Sequence, residues 1–179
     1  NVQHAALSLF GSGRKTFNYD YGNCKHLVLY GRNVFESLRV KQANMIMGIL
    51  DRGGKITYID PRAAGTAMKA TRYWAIRPGT DYALNLGIIH TVLREKLYDA
   101  EFVKQWVLGL KELESFVVPY TPEWAAQETG IPADEIIAFA HEIAEDRPAV
   151  MFHPGWMVAR YLDSFYAIRS IYMLNSLMG

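Results

Sequence analysis

Cysteine is the scarcest chemistry-bearing residue in this sequence. Cys24 is the single cysteine among 179 residues. A lone thiol excludes an internal disulfide. It also excludes an iron–sulfur cluster or a cysteine-based zinc site held by this segment alone.

An excess of one charge and long apolar runs are missing as well. The 19 basic and 18 acidic residues give a net charge of +1, so no strong field predicts a nucleic-acid partner. No apolar run approaches the ~20 residues that span a bilayer. Half of the residues are apolar, and a chain of this length can bury a sizeable core as one domain.

The common phosphate-binding and catalytic motifs are also absent. The sequence has neither GxGxxG nor GxxxxGK[ST], so it carries neither the usual dinucleotide fingerprint nor a P-loop. The five histidines are scattered without HExxH spacing, and no serine or cysteine lies in a nucleophile elbow. We interpret His90 and His141 as packing or surface residues. His153 is the histidine of most interest, because it lies at a strand end beside Gly155.

Four short apolar runs are each closed by turn-forming or charged residues. Buried parallel strands have this pattern. A helical apolar stripe between the first two runs completes a strand–helix–strand unit. We predict an α/β fold, a three-layer Rossmann-like and mostly parallel sheet of about four strands with helices on both faces, in one domain over 1–179. The predicted strands are 26–30, 56–59, 73–76 and 148–152.

Helices account for most of the remaining sequence. Asp81 and Asp99 are acidic residues at helix starts, and Pro122 suits a first helical turn. The predicted helices are 2–10, 36–50, 63–70, 81–96, one after Asp99, 110–118, one from Thr121, one from about Asp134, and a last one from Arg160 or Asp163 to about Leu177. The polar and aromatic stretch 14–23 is expected to be a loop.

Residues suited to a nucleotide follow three of the strands. Gly31 allows the tight turn and close approach that a phosphate requires, although an ordinary strand–helix turn explains it equally well. Asp60 is placed for ribose hydroxyls, or for a local capping pair with Arg62. Asp81 can accept the N1 and amino protons of guanine, and it can also cap a helix. Together the three strand ends favour a nucleotide crevice.

Longer strings of residues, taken in order, resemble one known family. They are Gly31-Arg-Asn33, Ile59-Asp-Pro-Arg62, Ile76-Arg-Pro-Gly-Thr-Asp81, Leu97-Tyr-Asp99, Tyr120-Thr-Pro-Glu-Trp124, Thr129-Gly130, the Gly155 turn and Leu174-Asn-Ser-Leu-Met-Gly179. The whole chain resembles the central nucleotide-binding region of molybdopterin oxidoreductases of the dimethyl-sulfoxide-reductase and formate-dehydrogenase class. We therefore expect a fragment of a much larger catalytic subunit.

The resemblance implies a cofactor and a role for each strand end. The family binds two molybdopterin guanine dinucleotides around one molybdenum or tungsten. By resemblance, Gly31 and Asn33 approach a pyrophosphate near Glu36, and Asp60 and Arg62 hold a guanosine. Gly79 and Asp81 read the guanine. The last group approaches a pterin and its phosphate, and consists of Gly155, Trp156 and Met157. One departure is Val34, which replaces the proline that usually follows the asparagine.

The resemblance also implies what lies outside this chain. The metal ligand is expected before Asn1, with the iron–sulfur cluster further upstream, so no catalytic residue is assigned here. Implied partners are the rest of the catalytic subunit, an iron–sulfur electron-transfer subunit and a membrane anchor, with a small inorganic or one-carbon substrate and no nucleic acid. The periplasm or the outer face of the cytoplasmic membrane is favoured over the cytoplasm.

Short strings favour one branch of the family. Asn1-Val-Gln-His4, Tyr30-Gly-Arg-Asn33 and Gly155-Trp-Met157 are most similar to thiosulfate and polysulfide reductases. Formate dehydrogenase is the alternative within the family. Two alternatives remain outside the family. One is a nicotinamide-dependent dehydrogenase, which the missing glycine fingerprint disfavours, and the other is a non-catalytic guanine-nucleotide-binding module.

Overall fold

The structure is a computed structural model that describes residues 1–12, 18–37, 40–162 and 164–179. A short 3₁₀ helix at Val158–Arg160 precedes the last helix. The helices of the described residues are α1 (Val2–Phe10), α2 (Val34–Ser37), α3 (Val40–Asp51), α4 (Asp81–Arg94), α5 (Ala100–Trp106), α6 (Leu110–Val117), α7 (Pro122–Thr129), α8 (Ala133–Asp146) and α9 (Ser164–Met178). The strands are β1 (His26–Tyr30), β2 (Lys55–Ile59), β3 (Arg72–Trp74) and β4 (Val150–Pro154).

The four strands form one sheet in the order β3-β2-β1-β4. Every neighbouring pair is parallel, with His26 opposite Lys55 on one side and opposite Val150 on the other. Because β1 is central, all five of its residues are buried. The predicted parallel α/β sheet of four strands is confirmed.

Helices cover both faces of the sheet, as predicted. Successive β1 side chains point to opposite faces, which divides the buried residues into two clusters. Val28 and Tyr30 belong to the larger cluster, with residues of α4, α7, α8 and α9. Leu27 and Leu29 belong to the smaller one, with Ile46 and others of α3. Across the described residues, no helix is both long enough and apolar enough to traverse a membrane.

The predicted helix over 63–70 is wrong. These residues form turns, with short-range bonds from the Ala67 and Ala70 amides to the carbonyls of Ala64 and Thr66. The reason is that side chains elsewhere hold this segment. Gly65 donates its backbone amide to Glu36, and the buried Thr66 hydroxyl donates to Asn33. Small residues in a row indicated a helix, but these contacts fix a loop instead.

Several predicted boundaries also shift. Of the helix predicted over 36–50, the described residues form α2 from Val34 to Ser37 and α3 from Val40 to Asp51. Strand three ends at Trp74, because β2 pairs with it only over Thr57 to Ile59. Strand four starts at Val150, in register with His26. The last helix starts at Ser164. Gly13, 14–17, Leu38 and Asp163, which entered the predictions, lie outside the described residues.

Candidate functional site

The order of the strands defines a crevice at the carboxyl edge of the sheet. Successive strands run outward from β1 to β3, and β4 then lies on the opposite side of β1. Ligands of open parallel sheets bind where the strand order reverses, beyond the carboxyl ends of the strands. Here that point lies between Gly31, which follows β1, and Gly155, which follows β4.

Gly31 and Gly155 are in direct contact at this point. The Gly155 amide donates to the Tyr30 carbonyl at 2.7 Å. A Cβ at position 155 would lie 2.3 Å from the carbonyl oxygens of both Tyr30 and Gly31. Gly31 has φ +54°, a conformation that favours glycine, and Met157 and Val158 pack against it. Glycine suits both positions, because it places no side chain between the ends of β1 and β4.

A hydrogen-bonded network links the loop after β1 to the loop after β2. Asn33 donates its side-chain amide to Glu36, whose other carboxylate oxygen accepts from the Gly65 amide at 3.0 Å. The side-chain Oδ1 of Asn33 accepts from the Thr66 hydroxyl at 2.8 Å. Asn33 and Glu36 were predicted site residues, and the structure brings them together. Thr66 and Gly65 were missed, because the residues lie about thirty positions away.

Asp60 is oriented by two donors at the end of β2. The Tyr58 hydroxyl and the Arg62 amide each donate to one of its carboxylate oxygens at 2.8 Å. The alternative of a local Asp60–Arg62 pair is therefore met by the backbone amide of Arg62 and not by its guanidinium. This pair caps no helix, because the described residues that follow form turns. The Arg62 side chain is exposed, which leaves a cation at the edge of the crevice.

Asp81 is a buried carboxylate at the start of α4. Its exposed fraction is 5%, and within the described residues no side-chain hydrogen bond to it is formed. Burial raises the pKa of Asp81 to about 6, against the lowering effect of its own backbone amide and with a further increase from Asp60. The N-cap of α4 is Thr80, whose hydroxyl donates to the Arg77 carbonyl at 2.8 Å. Asp81 is therefore not the N-cap of α4 but an acidic residue of its first turn.

A cavity of about 510 Å³ opens beside Asp81. Its size is within the range of small-molecule sites. Gly79, also a predicted site residue, lies in its wall with φ +81°. The remaining wall comes from α4, α7, α9 and the segments before α7 and α9, and it includes four aromatic side chains. The aromatic lining residues are Tyr82, Tyr120, Trp124 and Tyr161. None of the four was predicted as a site residue: three are distant in sequence from Asp81, and no local pattern singled out Tyr82.

The last predicted group lies beside Gly31. Trp156 and Met157 follow Gly155 and are exposed. The Met157 Cβ would lie 3.2 Å from a Cβ at Gly31, so this loop crosses the end of β1. The ten predicted residues thus occupy one edge of the sheet. They comprise two buried glycines after β1 and β4, a carboxylate with a nearby cation after β2, and a buried carboxylate at the start of α4.

A second polar cluster lies at the opposite, amino edge of the sheet. The His26 Nδ1 is 3.2 Å from Asp146, and its Nε2 is 2.9 Å from the Thr57 hydroxyl. The ligand atoms of His26, Asp146 and Glu142 lie within 4.8 Å of one another, as in a metal site. However, the Lys55 Nζ is 2.9 Å from Asp146 and 3.2 Å from Glu142. The lysine ammonium therefore supplies the cation, and we assign no metal here.

Other side chains weighed from sequence are not assigned to the site. Burial raises the pKa of Cys24 to about 12, so its thiol is poorly suited to act as a ligand. The His90 Nδ1–H donates to the Val117 carbonyl, and His141 pairs with Glu95 on the surface. His153 stacks on Tyr19 with ring centroids 4.1 Å apart.

The chain matches the molybdopterin oxidoreductase family over nearly its whole length. The family model for molybdopterin oxidoreductases matches residues 3–179. The chain is similar to the thiosulfate reductase molybdopterin-containing subunit PhsA of Salmonella typhimurium, with 35% identity over 160 residues, which is 89% of this chain and 21% of that protein. It is also similar to the F420-dependent formate dehydrogenase subunit alpha of Methanocaldococcus jannaschii, with 31% identity over 174 residues, or 95% and 25%.

A third relative has both a sequence and a structural match. Acetylene hydratase of Syntrophotalea acetylenica is 36% identical over 159 residues, which is 88% of this chain and 21% of that protein. The solved structure of acetylene hydratase from Pelobacter acetylenicus superimposes with a TM-score of 0.81 at 33% identity, covering 89% of this chain and 22% of that one. The chain spans about a fifth to a quarter of the length of these relatives.

Proposed function

We propose, from the premise that this chain belongs to the molybdopterin oxidoreductase family, that its carboxyl sheet edge binds the guanine dinucleotide part of a molybdopterin cofactor. The observation that carries the proposal is the Asp81 carboxylate. It is buried beside a cavity of about 510 Å³ without a side-chain partner in the described residues. The carboxylate is bonded by its own backbone amide and can accept further hydrogen bonds, and guanine offers two adjacent N–H groups.

The other strand ends support the same ligand. The buried contact of Gly31 with Gly155 leaves no side chain at the ends of β1 and β4, and the half-exposed Asn33 marks where a pyrophosphate would approach. Gly31 and Asn33 would lie at the pyrophosphate, and Glu36 would hold their loop through Gly65. The charge of the Arg62 guanidinium would balance that of a phosphate.

The remaining candidates complete the assignment. Asp60, oriented by Tyr58 and the Arg62 amide, would accept from ribose hydroxyls. Gly79 and Asp81 would contact the base. The pterin end of the cofactor and its phosphate would lie against the loop after β4, at Gly155, Trp156 and Met157.

The cofactor supplies two-electron redox chemistry at a molybdenum or tungsten centre held by two such dinucleotides. The residues of this chain contribute binding and orientation. They hold the nucleotide end of one cofactor, and no metal ligand or proton-transfer residue is assigned among them. The iron–sulfur cluster and partner subunits expected from the resemblance belong to other parts of the enzyme.

For the whole enzyme, we infer reduction of an inorganic sulfur compound such as thiosulfate or polysulfide. Support comes from the 35% identity to a thiosulfate reductase subunit over 89% of this chain. Formate oxidation is the second candidate, supported by 31% identity to a formate dehydrogenase over 95% of the chain. The similar identity to a hydratase means that the substrate has to be tested directly.

The test uses the full-length catalytic subunit, purified and then denatured. We expect guanine nucleotide, oxidised pterin and molybdenum or tungsten to be released together, with two guanines and two pterins for each metal. The intact enzyme is assayed with thiosulfate, polysulfide, formate and acetylene. Asp81→Asn is the variant expected to lower the guanine content.

Each other outcome supports a different function. Guanine nucleotide without pterin or metal would indicate a non-catalytic binding module. Release of no nucleotide would contradict the proposal, and the strand-end residues would then be structural. Turnover of formate but not of sulfur compounds would reject the sulfur-reductase assignment and leave the cofactor assignment intact.

A further inference from the structure

The segment that follows β4 crosses the carboxyl edge of the sheet and ends above Gly79. It starts with Gly155 against the end of β1, and Val158 then packs on Gly31. After the 3₁₀ helix, the ring of Tyr161 reaches Gly79, where its Cδ1 and Cε1 lie 3.8 and 3.9 Å from the position of an added Cβ. The segment therefore connects the phosphate side of the crevice to its base side.

The position of Tyr161 is fixed by its neighbours in the chain. The buried Ser164 donates its hydroxyl to the Ala159 carbonyl at 3.0 Å, and its amide donates to the Tyr161 carbonyl at 3.3 Å. Asn1 of α1 donates to the Ser164 hydroxyl. These bonds hold the segment against α1 and α9. The ring itself is 38% exposed and lines the cavity beside Asp81.

Tyr161 and Asp81 line the same cavity, with Gly79 between them in its wall. Burial raises the pKa of Tyr161, the Asp81 carboxylate raises it further, and a hydrogen bond from the Gly79 backbone lowers it, while Asp60 makes a small increase. The phenol ring is therefore part of the wall of the cavity that Asp81 faces. A planar group that is bonded to Asp81 at its edge would have this aromatic ring available at its face.

We infer that Tyr161 is the aromatic wall of the base pocket, and that it stacks on the purine whose edge is bound by Asp81. This inference rests on the proposed function and adds a residue to it. Stacking on an aromatic ring does not distinguish one base from another, because every base has a π-face. Tyr161 would supply affinity for a flat heterocycle, and Asp81 would select guanine.

The test measures GDP binding by calorimetry to the full-length catalytic subunit, produced without its cofactor. Tyr161→Ala is expected to weaken GDP binding at one site about tenfold, as loss of one base–aromatic stack does. Tyr161→Phe keeps the ring and is expected to bind within about twofold of the wild type. Tyr98→Ala is the matched control, because Tyr98 is half-buried on the core outside the cavity.

The outcomes separate this inference from the proposed function. If the wild type binds GDP and Tyr161→Ala binds it equally well, Tyr161 is not the wall and the cofactor assignment stands. If the wild type does not bind GDP at all, the proposed function and this inference both fail. Weak binding by Tyr161→Phe as well as Tyr161→Ala would replace stacking with a role of the hydroxyl. Circular dichroism of each variant establishes that it is folded.

Discussion

Asp81 is the residue whose environment differs most from that of an ordinary surface carboxylate. Burial raises its pKa to about 6, so in the free protein it takes up a proton within the range of ordinary buffers. Only the ionised form can accept both N–H groups of guanine. Binding and protonation therefore compete for the same side chain.

The affinity for GDP is accordingly expected to fall as the pH drops below about 6. Each further pH unit costs about tenfold in affinity, because the ionised fraction falls by that factor. The measurement is a series of GDP titrations of the cofactor-free subunit. Since the phosphate of GDP titrates in the same range, the Asp81→Asn protein is measured over the same series. Parallel curves for the two proteins would contradict the role of Asp81.

Gly155 is constrained by sterics alone. An added Cβ would lie 2.3 Å from two backbone oxygens, and backbone cannot move aside without displacing the end of β1. Gly155→Ala is expected to lower the free energy of unfolding by about 1–3 kcal/mol and to lower the cofactor content. Urea denaturation and nucleotide release measure the two effects.

The control for Gly155→Ala is Gly48→Ala in α3. An added Cβ at Gly48 approaches the flexible end of Arg52 at 3.2 Å and no backbone. Alanine favours a helix interior over glycine by up to about 1 kcal/mol, so this variant should be as stable as the wild type or more so. Equal stability of Gly155→Ala and Gly48→Ala would show that the strand ends can separate without cost.

At the level of elements, β1, β2 and α8 meet in the polar cluster at the amino edge of the sheet. His26 is fully buried between Thr57 and Asp146, and the adjacent Lys55 bridges Asp146 and Glu142. Arg72 of β3 also pairs with Glu142. Burial lowers the pKa of His26, while the carboxylates of Glu142 and Asp146 act in the opposite direction. The neutral imidazole is therefore the form that the fold stabilises.

This cluster makes stability depend on pH in a defined direction. Unfolded histidine has a pKa near 6.5, so below about that pH the unfolded chain binds a proton that folded His26 resists. The free energy of unfolding should fall as the pH drops through this range. Burial raises the pKa of Glu142, but its bonds with Arg72 and Lys55 lower the pKa overall in the folded protein. The free energy of unfolding therefore falls further below pH 4.5, the ordinary pKa of the group.

The prediction is tested by urea unfolding between pH 7 and pH 5 with His26→Gln, which cannot titrate. Its free energy of unfolding should depend less on pH than that of the wild type. The comparison is made in the Asp81→Asn background. The raised pKa of Asp81 has the opposite sign, since its stabilising contribution is full below 3.8 and is lost as the pH rises through about 6. Equal slopes with and without His26 would contradict the assignment.

At the scale of the whole molecule, an apolar groove of about 700 Å³ adjoins the cavity beside Asp81 and shares Tyr82 and Leu86 with it. It is bordered by α1, α6, α9 and the loop after α5. Trp106 and Leu108 lie on its rim with exposed fractions of 68% and 99%. Exposed apolar patches of this kind mark contact surfaces. Because the chain spans about a fifth to a quarter of its relatives, we expect the rest of the catalytic subunit to cover the groove.

Hydrogen exchange tests this expectation. The amides of 106–110 should exchange more slowly in the full-length subunit than in a chain of residues 1–179. The amides of α3, on the other side of the sheet and outside the groove, serve as the internal reference. Equal exchange of 106–110 in the two proteins would indicate that the groove stays open in the catalytic subunit. It would then be available to a different partner.

Local sequence determined where several helices and strands begin and end. The buried run His26–Tyr30 was predicted with its observed bounds, because a strand buried on both faces needs continuous apolar residues. The start of α4 at Asp81 and the cap of α5 at Asp99, which accepts from the Phe102 amide, were also predicted. These features depend on neighbours in the chain, and the prediction of a nucleotide crevice was based on the residues that follow each strand.

The tertiary structure alone decided which strand ends meet and what surrounds them. The position of β4 beside β1 brings Gly155 onto Gly31, about 120 residues apart. The same long-range packing replaced the predicted helix over 63–70 with turns, brought Tyr161 to Gly79, and placed His26 against Asp146. No local pattern encodes these contacts. They arise because burying both faces of the sheet leaves one arrangement in which the backbone and polar groups are satisfied.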